Sequence, residues 1–299
     1  MTLISYHGGH SGEFCDHASD MLESIVQSYV SKGFTNFGIT EHQPRPFKYF
    51  YPDEHQKSRQ GDDLFIRFNW YMRAARALQQ KLFTEGISMH VGFETEMCGA
   101  DALGQIELLK RKHEPDYLVG SVHHVKDIPI DYDKAMYAMA LQACGGLEQL
   151  HLAYYDLQFD LIKYIKPEII GHFDLIKIFS PDYVPSKRVL AHAEINIRKA
   201  IEQGAVFEVN SRAFKKSLIE PHPGRVYLRM IRDLGGEVTL GDDSHAVDQV
   251  GLHYDKAILV VKEFFDTVVA FKLEDRRGGM ERIHVPIQDI EQAARRLVA

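Results

Sequence analysis

Apolar residues recur along the chain at two spacings. Short segments rich in β-branched and aromatic residues alternate with longer ones whose apolar positions fall three and four apart. LISYHG at 3–8 reads as a first strand. Met21, Leu22, Ile25, Val26, Tyr29 and Val30 then form one apolar stripe along a helix that Gly33 is suited to stop. Further strands are predicted near 35–40, 88–97, 116–124, 168–174, 205–211 and 237–243, with helices at about 65–85, 101–112, 133–166, 186–203 and 224–234. This alternation predicts parallel strands joined by right-handed helical crossovers, in a barrel or an open doubly wound sheet. The recurrence of chemically equipped side chains at the ends of nearly every strand favours the barrel.

No low-complexity tract or Pro/Gly/Ser-rich linker divides the chain, so one domain over 1–299 is expected, with 252–299 as a C-terminal closing segment. The stretch 43–62 is richer in Pro, aromatic and charged residues and is predicted to be a long loop over the site.

Composition adds little to the fold and more to the function. A 45% apolar and 26% charged chain can bury a large core unaided. The net charge of −7 argues against a nucleic-acid binder but leaves a small anionic substrate open. Cys15, Cys98 and Cys144 offer neither a disulfide framework nor a paired zinc motif, which suits a reducing cytoplasm. There is no basic leader and no long apolar run, so secretion and membrane spanning are not expected.

The sixteen histidines matter for where they fall. His7 and His10 follow the first predicted strand, His42 the second, Glu94 lies in the third, His123 follows the fourth, His172 the fifth, and Asp243 and His245 the seventh. Each alone is weak. Together, imidazoles and carboxylates converging on one barrel rim would build a polynuclear site for Zn, Fe or Mn. Dinucleotide, P-loop and nucleophile-elbow signatures are absent.

The order H…H, CDHA, TEH, GFE, GSVHH, GHFD, EVN and GDDSH resembles the polymerase and histidinol phosphatase (PHP) superfamily of metal-dependent phosphoesterases, over roughly residues 5–251. HSGEFCDHA, ITEHQPR, GSVHHVKDIPIDYD and IGHFDLIK are most similar to its histidinol-phosphatase members, which dephosphorylate L-histidinol phosphate. The resemblance implies a distorted (β/α)7 TIM-like barrel and two or three divalent cations, zinc foremost, with iron or manganese as alternatives. It places His7, His10, Glu94 and Asp243 on one metal. Glu94 bridges to a second metal held by His123 and His172, and His17, His42 and His245 hold a third. The family's first motif is H-x-H, whereas here Gly8 and Gly9 separate two histidines, so either a glycine bulge delivers His7 or that site is weakened.

The implied chemistry is phosphomonoester hydrolysis by metal-activated hydroxide. Asp243 and His245 stand at the reacting centre, and Asp242 or a water is the candidate general acid. Arg45, Arg212, Lys215 and Lys216 are candidate phosphate anchors. Glu96, Asp127, Asp131 and Tyr132 are candidates for the substrate's amine and imidazole, and Asn210 and Ser121 for positioning ligands. Cys15 reads as a small buried hydrophobe. The implied partner is a small phosphorylated molecule. Competing readings are a PHP-type phosphoesterase for nucleotides, oligonucleotides or phosphotyrosine, and a metal-dependent amidohydrolase.

Overall fold

The computed structural model describes residues 3–57, 61–273 and 280–298. Seven parallel strands form one sheet: β1 (Leu3–Ser5), β2 (Phe34–His42), β3 (Ser88–Glu94), β4 (Tyr117–Gly120), β5 (Ile169–Ile170), β6 (Val206–Asn210) and β7 (Val238–Gly241). They are ordered as they occur in the chain, each pairing with the next. The sheet closes on itself where the Tyr6 amide donates to Leu240 O (2.9 Å) and the Asp243 amide to His7 O (2.8 Å). The result is a seven-stranded α/β TIM-like barrel, with helices covering the outward faces of the strands.

The crossover helices lie close to their predicted spans, at Leu22–Ser31, Asp63–Thr84, Ala102–His113, Lys187–Glu202 and Arg225–Asp233. The long helix expected over 133–166 is two, Lys134–Cys144 and Leu147–Ile165. Gly145 and Gly146 both take positive φ between them, which ends one helix and redirects the chain into the next. Apolar periodicity continues across the break, so it did not mark the end. The 43–62 stretch carries two short helical turns, Phe47–Tyr49 and Pro52–Gln56, and its residues 58–60 lie outside the described ones.

Strand register shows how the interior is filled. Gly38 pairs with His90 and Gly92 with Tyr117, so these four positions face the same side of the sheet. A Cβ at Gly38 would lie 2.0 Å from the Tyr117 hydroxyl. Two glycines on neighbouring strands thus make room for one tyrosine, whose hydroxyl donates to Tyr6 O across the barrel (2.8 Å).

After residue 252, the helix Tyr254–Val261 leads to an antiparallel hairpin, β8 (Thr267–Leu273) with β9 (Met280–Pro286), and to the helix Ile287–Val298. Residues 274–279 and 299 of the expected closing segment lie outside the described ones. The hairpin is fastened to the barrel through Phe271. Its carbonyl accepts from Tyr6 Oη (2.9 Å) and His90 Nε2 (3.0 Å), and its amide donates to Tyr6 Oη (2.7 Å). Among the described residues no helix is long and apolar enough to cross a membrane.

His90 makes this junction sensitive to acid. Burial, only partly opposed by the bond to Phe271 O, pushes its pKa from 6.5 down to about 4. Between those values the unfolded chain binds a proton that the folded chain refuses, so stability is lost as pH falls through that window, by roughly 3 kcal/mol in full. His90→Gln, which keeps a donor for Phe271 O, is expected to remove about one proton from the pH slope of unfolding there. Urea denaturation of both proteins across pH 6.5 to 4 checks this; parallel slopes would refute it.

Candidate metal centre

The C-terminal ends of the strands converge on the Glu94 carboxylate, the last residue of β3, which is 1% exposed. Four imidazoles surround it. Glu94 Oε1 lies 3.2 Å from His7 Nε2, 3.1 Å from His123 Nε2 and 2.8 Å from His172 Nε2, and Oε2 lies 2.9 Å from His42 Nδ1. Asp243 Oδ1 lies 3.6 Å from His10 Nε2 and 4.0 Å from His7 Nε2. His17 Nε2 approaches His42 Nε2 at 3.1 Å, and the His245 ring stacks on His10 with centroids 4.2 Å apart. The structure therefore brings all nine sequence-named ligand candidates into one cluster.

The backbone that delivers them is unusual where the sequence is. Gly8 and Gly9 have φ of 142° and 78°, conformations that side chains with a Cβ avoid. A Cβ on Gly8 would fall 2.4 Å from Asp242 Oδ1, and one on Gly9 2.7 Å from Ile39 Cγ2. The loop is pinned by Gly9 N–H to Ser244 Oγ (3.0 Å) and His10 N–H to Ser244 O (3.0 Å). Both His7 and His10 thereby face the cluster, with ring centroids 5.8 Å apart. Asp243 itself has a φ of 48°, a left-handed conformation in a residue other than glycine.

Three of the inner histidines have a carboxylate behind them that sets their orientation. His7 Nδ1 is 3.0 Å from Glu208 Oε1, His10 Nδ1 3.2 Å from Glu41 Oε1, and His123 Nδ1 3.2 Å from Glu96 Oε2. A carboxylate there accepts a hydrogen bond from Nδ1–H, so that in the neutral ring, the form that binds a cation, Nε2 is a lone pair aimed inward. Asn210 Nδ2 donates to Glu208 Oε1 (3.0 Å) and Asp243 Oδ2 (3.3 Å), fixing both. Ser121 ties its backbone to Thr95, while its own hydroxyl has no hydrogen-bond partner among the described residues. Glu41 and Glu208 escaped the sequence reading. Their only signal was position, next to His42 in TEH and two before Asn210 in EVN.

The electrostatics are those of a site built for cations. Burial opposes charge on Glu94, but His7, His123 and His42 overcome it and hold its carboxyl well below the usual range. Burial likewise opposes a proton on His7, yet Glu208, Glu94 and Asp243 raise its pKa well above 6.5. Burial and the neighbouring His42 lower His10, while burial, Arg212 and His10 push His245 well below its ordinary value. His7 Nε2, His10 Nε2 and His42 Nδ1 are buried without a hydrogen-bond partner although each faces carboxylate oxygen. Within His7/His10/Glu94, His7/His172/Asp243, His10/Asp243/His245 and Cys15/His17/His42/His245, the donor atoms all lie within 4.8 Å of one another. Donors of this type and spacing fit divalent cations. Cys15 is buried, as expected, and also close to three of those histidines.

Other named residues are placed differently. Arg45 does not reach the cavity. It is 1% exposed, with Nη1 2.8 Å from Glu96 Oε1, Nη2 on Glu54 and Nε donating to Tyr49 O, and it anchors the loop over the site. Asp242 also faces away from the cavity, accepting from Tyr29 Oη (2.7 Å), Ser244 N (3.1 Å) and Gly251 N (2.8 Å). Burial pushes its carboxyl up to about 6 despite those donors, but no side of it meets the cavity. Glu96 is committed to Arg45 and His123, and Asp127 accepts from Gly99 N and Tyr49 Oη.

The cavity above the cluster measures about 250 Å³. Arg212 and Lys216 line it beside Asp243, whereas Lys215 does not. Arg212 Nη1 donates to Asp243 O and Gln249 Oε1, both at 2.8 Å. On other walls stand Asp131 and the stacked rings of Tyr51 and Tyr132, with centroids 5.6 Å apart.

Glu208→Ala is expected to weaken cation binding by about 10- to 100-fold, because His7 loses the group that orients it. Competition against a chromophoric chelator measures this, and wild-type affinity in the variant would remove Glu208 from that role.

The chain is similar to known proteins over most of its length. The PHP domain family matches residues 7–212. A "Probable histidinol-phosphatase" of Schizosaccharomyces pombe is 40% identical over 261 residues, covering 85% of this chain and 84% of that protein. The "Histidinol-phosphatase" of Saccharomyces cerevisiae is 31% identical over 289 residues, covering 84% and 85%. Among solved structures, histidinol phosphate phosphatase from Lactococcus lactis, complexed with zinc, L-histidinol and phosphate, superposes with a TM-score of 0.67. It is 20% identical, and the match covers 94% of this chain and 99% of that one.

Proposed function

The chain belongs to the PHP domain family, and from that membership and the geometry of the cavity we propose that it is a metal-dependent phosphomonoesterase that hydrolyses L-histidinol phosphate to L-histidinol and phosphate, a step of histidine biosynthesis. The observation that carries the reading is the Glu94 carboxylate ringed by four imidazoles beneath a cavity sized for a small molecule.

His7, His10, Glu94 and Asp243 would hold one cation, Glu94, His123 and His172 a second, and His17, His42 and His245 a third. Zinc suits this nitrogen-rich set and accompanies the ligands of the L. lactis relative, with iron or manganese as alternatives. Bound there, such cations lower the pKa of water toward about 7 and offset charge on phosphoryl oxygens.

The protein's own groups bind and orient the substrate. Arg212, beside Asp243, and Lys216 line the cavity and steer the phosphate toward the cluster. Arg212 is held by Asp243 O and Gln249, so it presents its charge without first having to become ordered. Asp131 Oδ1 is buried with no hydrogen-bond partner among the described residues, which suits it to the substrate's ammonium. Tyr51 and Tyr132 wall that end against water, and Arg45 supports Tyr51 from behind, its Cζ 4.2 Å from the ring centroid. The whole chain 1–299 acts as one catalytic unit closed by 252–299, and three free cysteines suit a cytoplasmic setting.

Two measurements test this. Phosphate release from L-histidinol phosphate is expected to exceed that from a nucleotide and a phosphodiester panel by at least about 100-fold in kcat/KM, to vanish on chelation, and to return with Zn²⁺, Mn²⁺ or Fe²⁺. Preference for a nucleotide or diester would sink the substrate, and activity surviving thorough chelation would sink the mechanism. Asp131→Asn is expected to raise KM about tenfold or more with a smaller change in kcat, because it removes the charge that meets the ammonium. A pure kcat loss would contradict that placement.

A further inference from the structure

His222 enters the cavity by a route that sequence spacing does not reveal. It lies beyond the helical turn Arg212–Lys215 and returns to the end of β6 through a backbone bridge, Asn210 N–H to His222 O (2.7 Å) and His222 N–H to Asn210 O (3.3 Å). Its side chain is 3% exposed and lines the cavity, whose lining also includes Leu175, Ile178 and Ala213. The metal centre as described makes no use of it.

Its chemistry is fixed from behind. His222 Nδ1 lies 2.7 Å from Asp174 Oδ1, and the other Asp174 oxygen takes Lys177 Nζ (2.7 Å) and Gly224 N–H (2.9 Å). A carboxylate so surrounded can only accept, so Nδ1 must carry the hydrogen. In the neutral ring Nε2 is then a lone pair, and Asp174 on Nδ1 is the hydrogen-bond partner of the ring among the described residues. The cavity thus holds two unmet acceptors of different kinds. Asp131 is a carboxylate suited to a positive charge, and His222 is an uncharged acceptor beside apolar side chains, suited to the N–H of a flat ring.

We propose that His222 Nε2 accepts a hydrogen bond from the imidazole N–H of the substrate, with Asp174 as the positioning residue that holds the required tautomer, so that this pair selects a heteroaromatic amino-alcohol phosphate over one with a plain hydrocarbon ring. The proposal rests on the histidinol phosphate reading. A ring of the same shape without an N–H would cover Nε2 and leave it unpaired, and a site built to bond a polar group rejects the analogue lacking it.

The test is a cycle of two substrates, L-histidinol phosphate and L-phenylalaninol phosphate, against wild type, His222→Phe and His222→Gln, all metal-loaded and matched by thermal melting. Wild type is expected to favour histidinol phosphate by at least about 30-fold in kcat/KM. His222→Phe should lose about tenfold or more on histidinol phosphate beyond whatever it loses on phenylalaninol phosphate, mostly in KM, and His222→Gln, which restores an acceptor oxygen, should recover part of that difference. Equal losses on both substrates would make His222 structural and overturn the proposal, as would undiminished discrimination in His222→Phe. A wild type that hydrolyses neither compound, yet cleaves a nucleotide or diester, would instead overturn the substrate reading beneath it.

Discussion

The structure depends on one carboxylate. Glu94 is buried at the floor of a cavity, where an isolated negative charge would be prohibitively unfavourable, and four imidazoles stand within 3.2 Å of it. Those imidazoles come from the ends of four strand segments, and among the described residues Glu94 is the group whose carboxylate meets all four. It cannot satisfy every nitrogen, and His7 Nε2 and His42 Nδ1 are left without hydrogen bonds. A cluster so under-satisfied is costly as protein alone and becomes coherent when divalent cations replace the shared protons.

That requirement propagates outward through hydrogen bonds. Glu208, Glu41 and Glu96 bind the rear nitrogens of His7, His10 and His123, and two of these carboxylates impose conditions of their own. Glu208 needs Gly241, where a Cβ would overlap its Oε1, and Asn210 as a donor. Glu96 is shared with Arg45, which also holds Glu54 and so fixes the loop carrying Tyr51. Substrate cover and metal orientation are therefore mechanically linked. A change at Arg45 would disturb both without that residue meeting phosphate.

Much of this was legible in the sequence, for identifiable reasons. Strand-to-helix alternation appears as a switch in apolar period, and a barrel's working residues must follow its strands, so the positions of His42, His123, His172 and His245 at strand ends can be read from the sequence. The carboxylates that orient the inner histidines from behind cannot. Glu41 and Glu208 look like ordinary charged residues in a strand, and only tertiary packing shows that each backs a histidine. Arg45 and Asp242 err the other way. Both stand beside motif residues and carry useful chemistry, but Arg45 is consumed by two glutamates and Asp242 by three donors below the loop of Gly8. Adjacency along the chain gives proximity, whereas the direction of a side chain follows from strand alternation and from partners far away in sequence. His222 was invisible because an excursion of eleven residues separates it from Asn210, its partner in the bridge.

The acidic charge of the chain sharpens what the site must do. At −7 overall the surface gives an approaching phosphate no general attraction, so recruitment falls to local groups. Arg212 and Lys216 are the cations lining the cavity among the described residues, and Arg212 is already oriented by Asp243 O and Gln249. The lining also carries acidic, aromatic and apolar groups, through Asp131, Tyr51, Tyr132, Leu175 and Ile178. A molecule anionic at one end and cationic and flat at the other offers a partner to each set of groups, while a nucleoside polyphosphate would add negative charge to a cavity that also holds Asp131. Discrimination against the larger phosphate esters thus follows from the same distribution of charge that lets an acidic protein hold a phosphate at all.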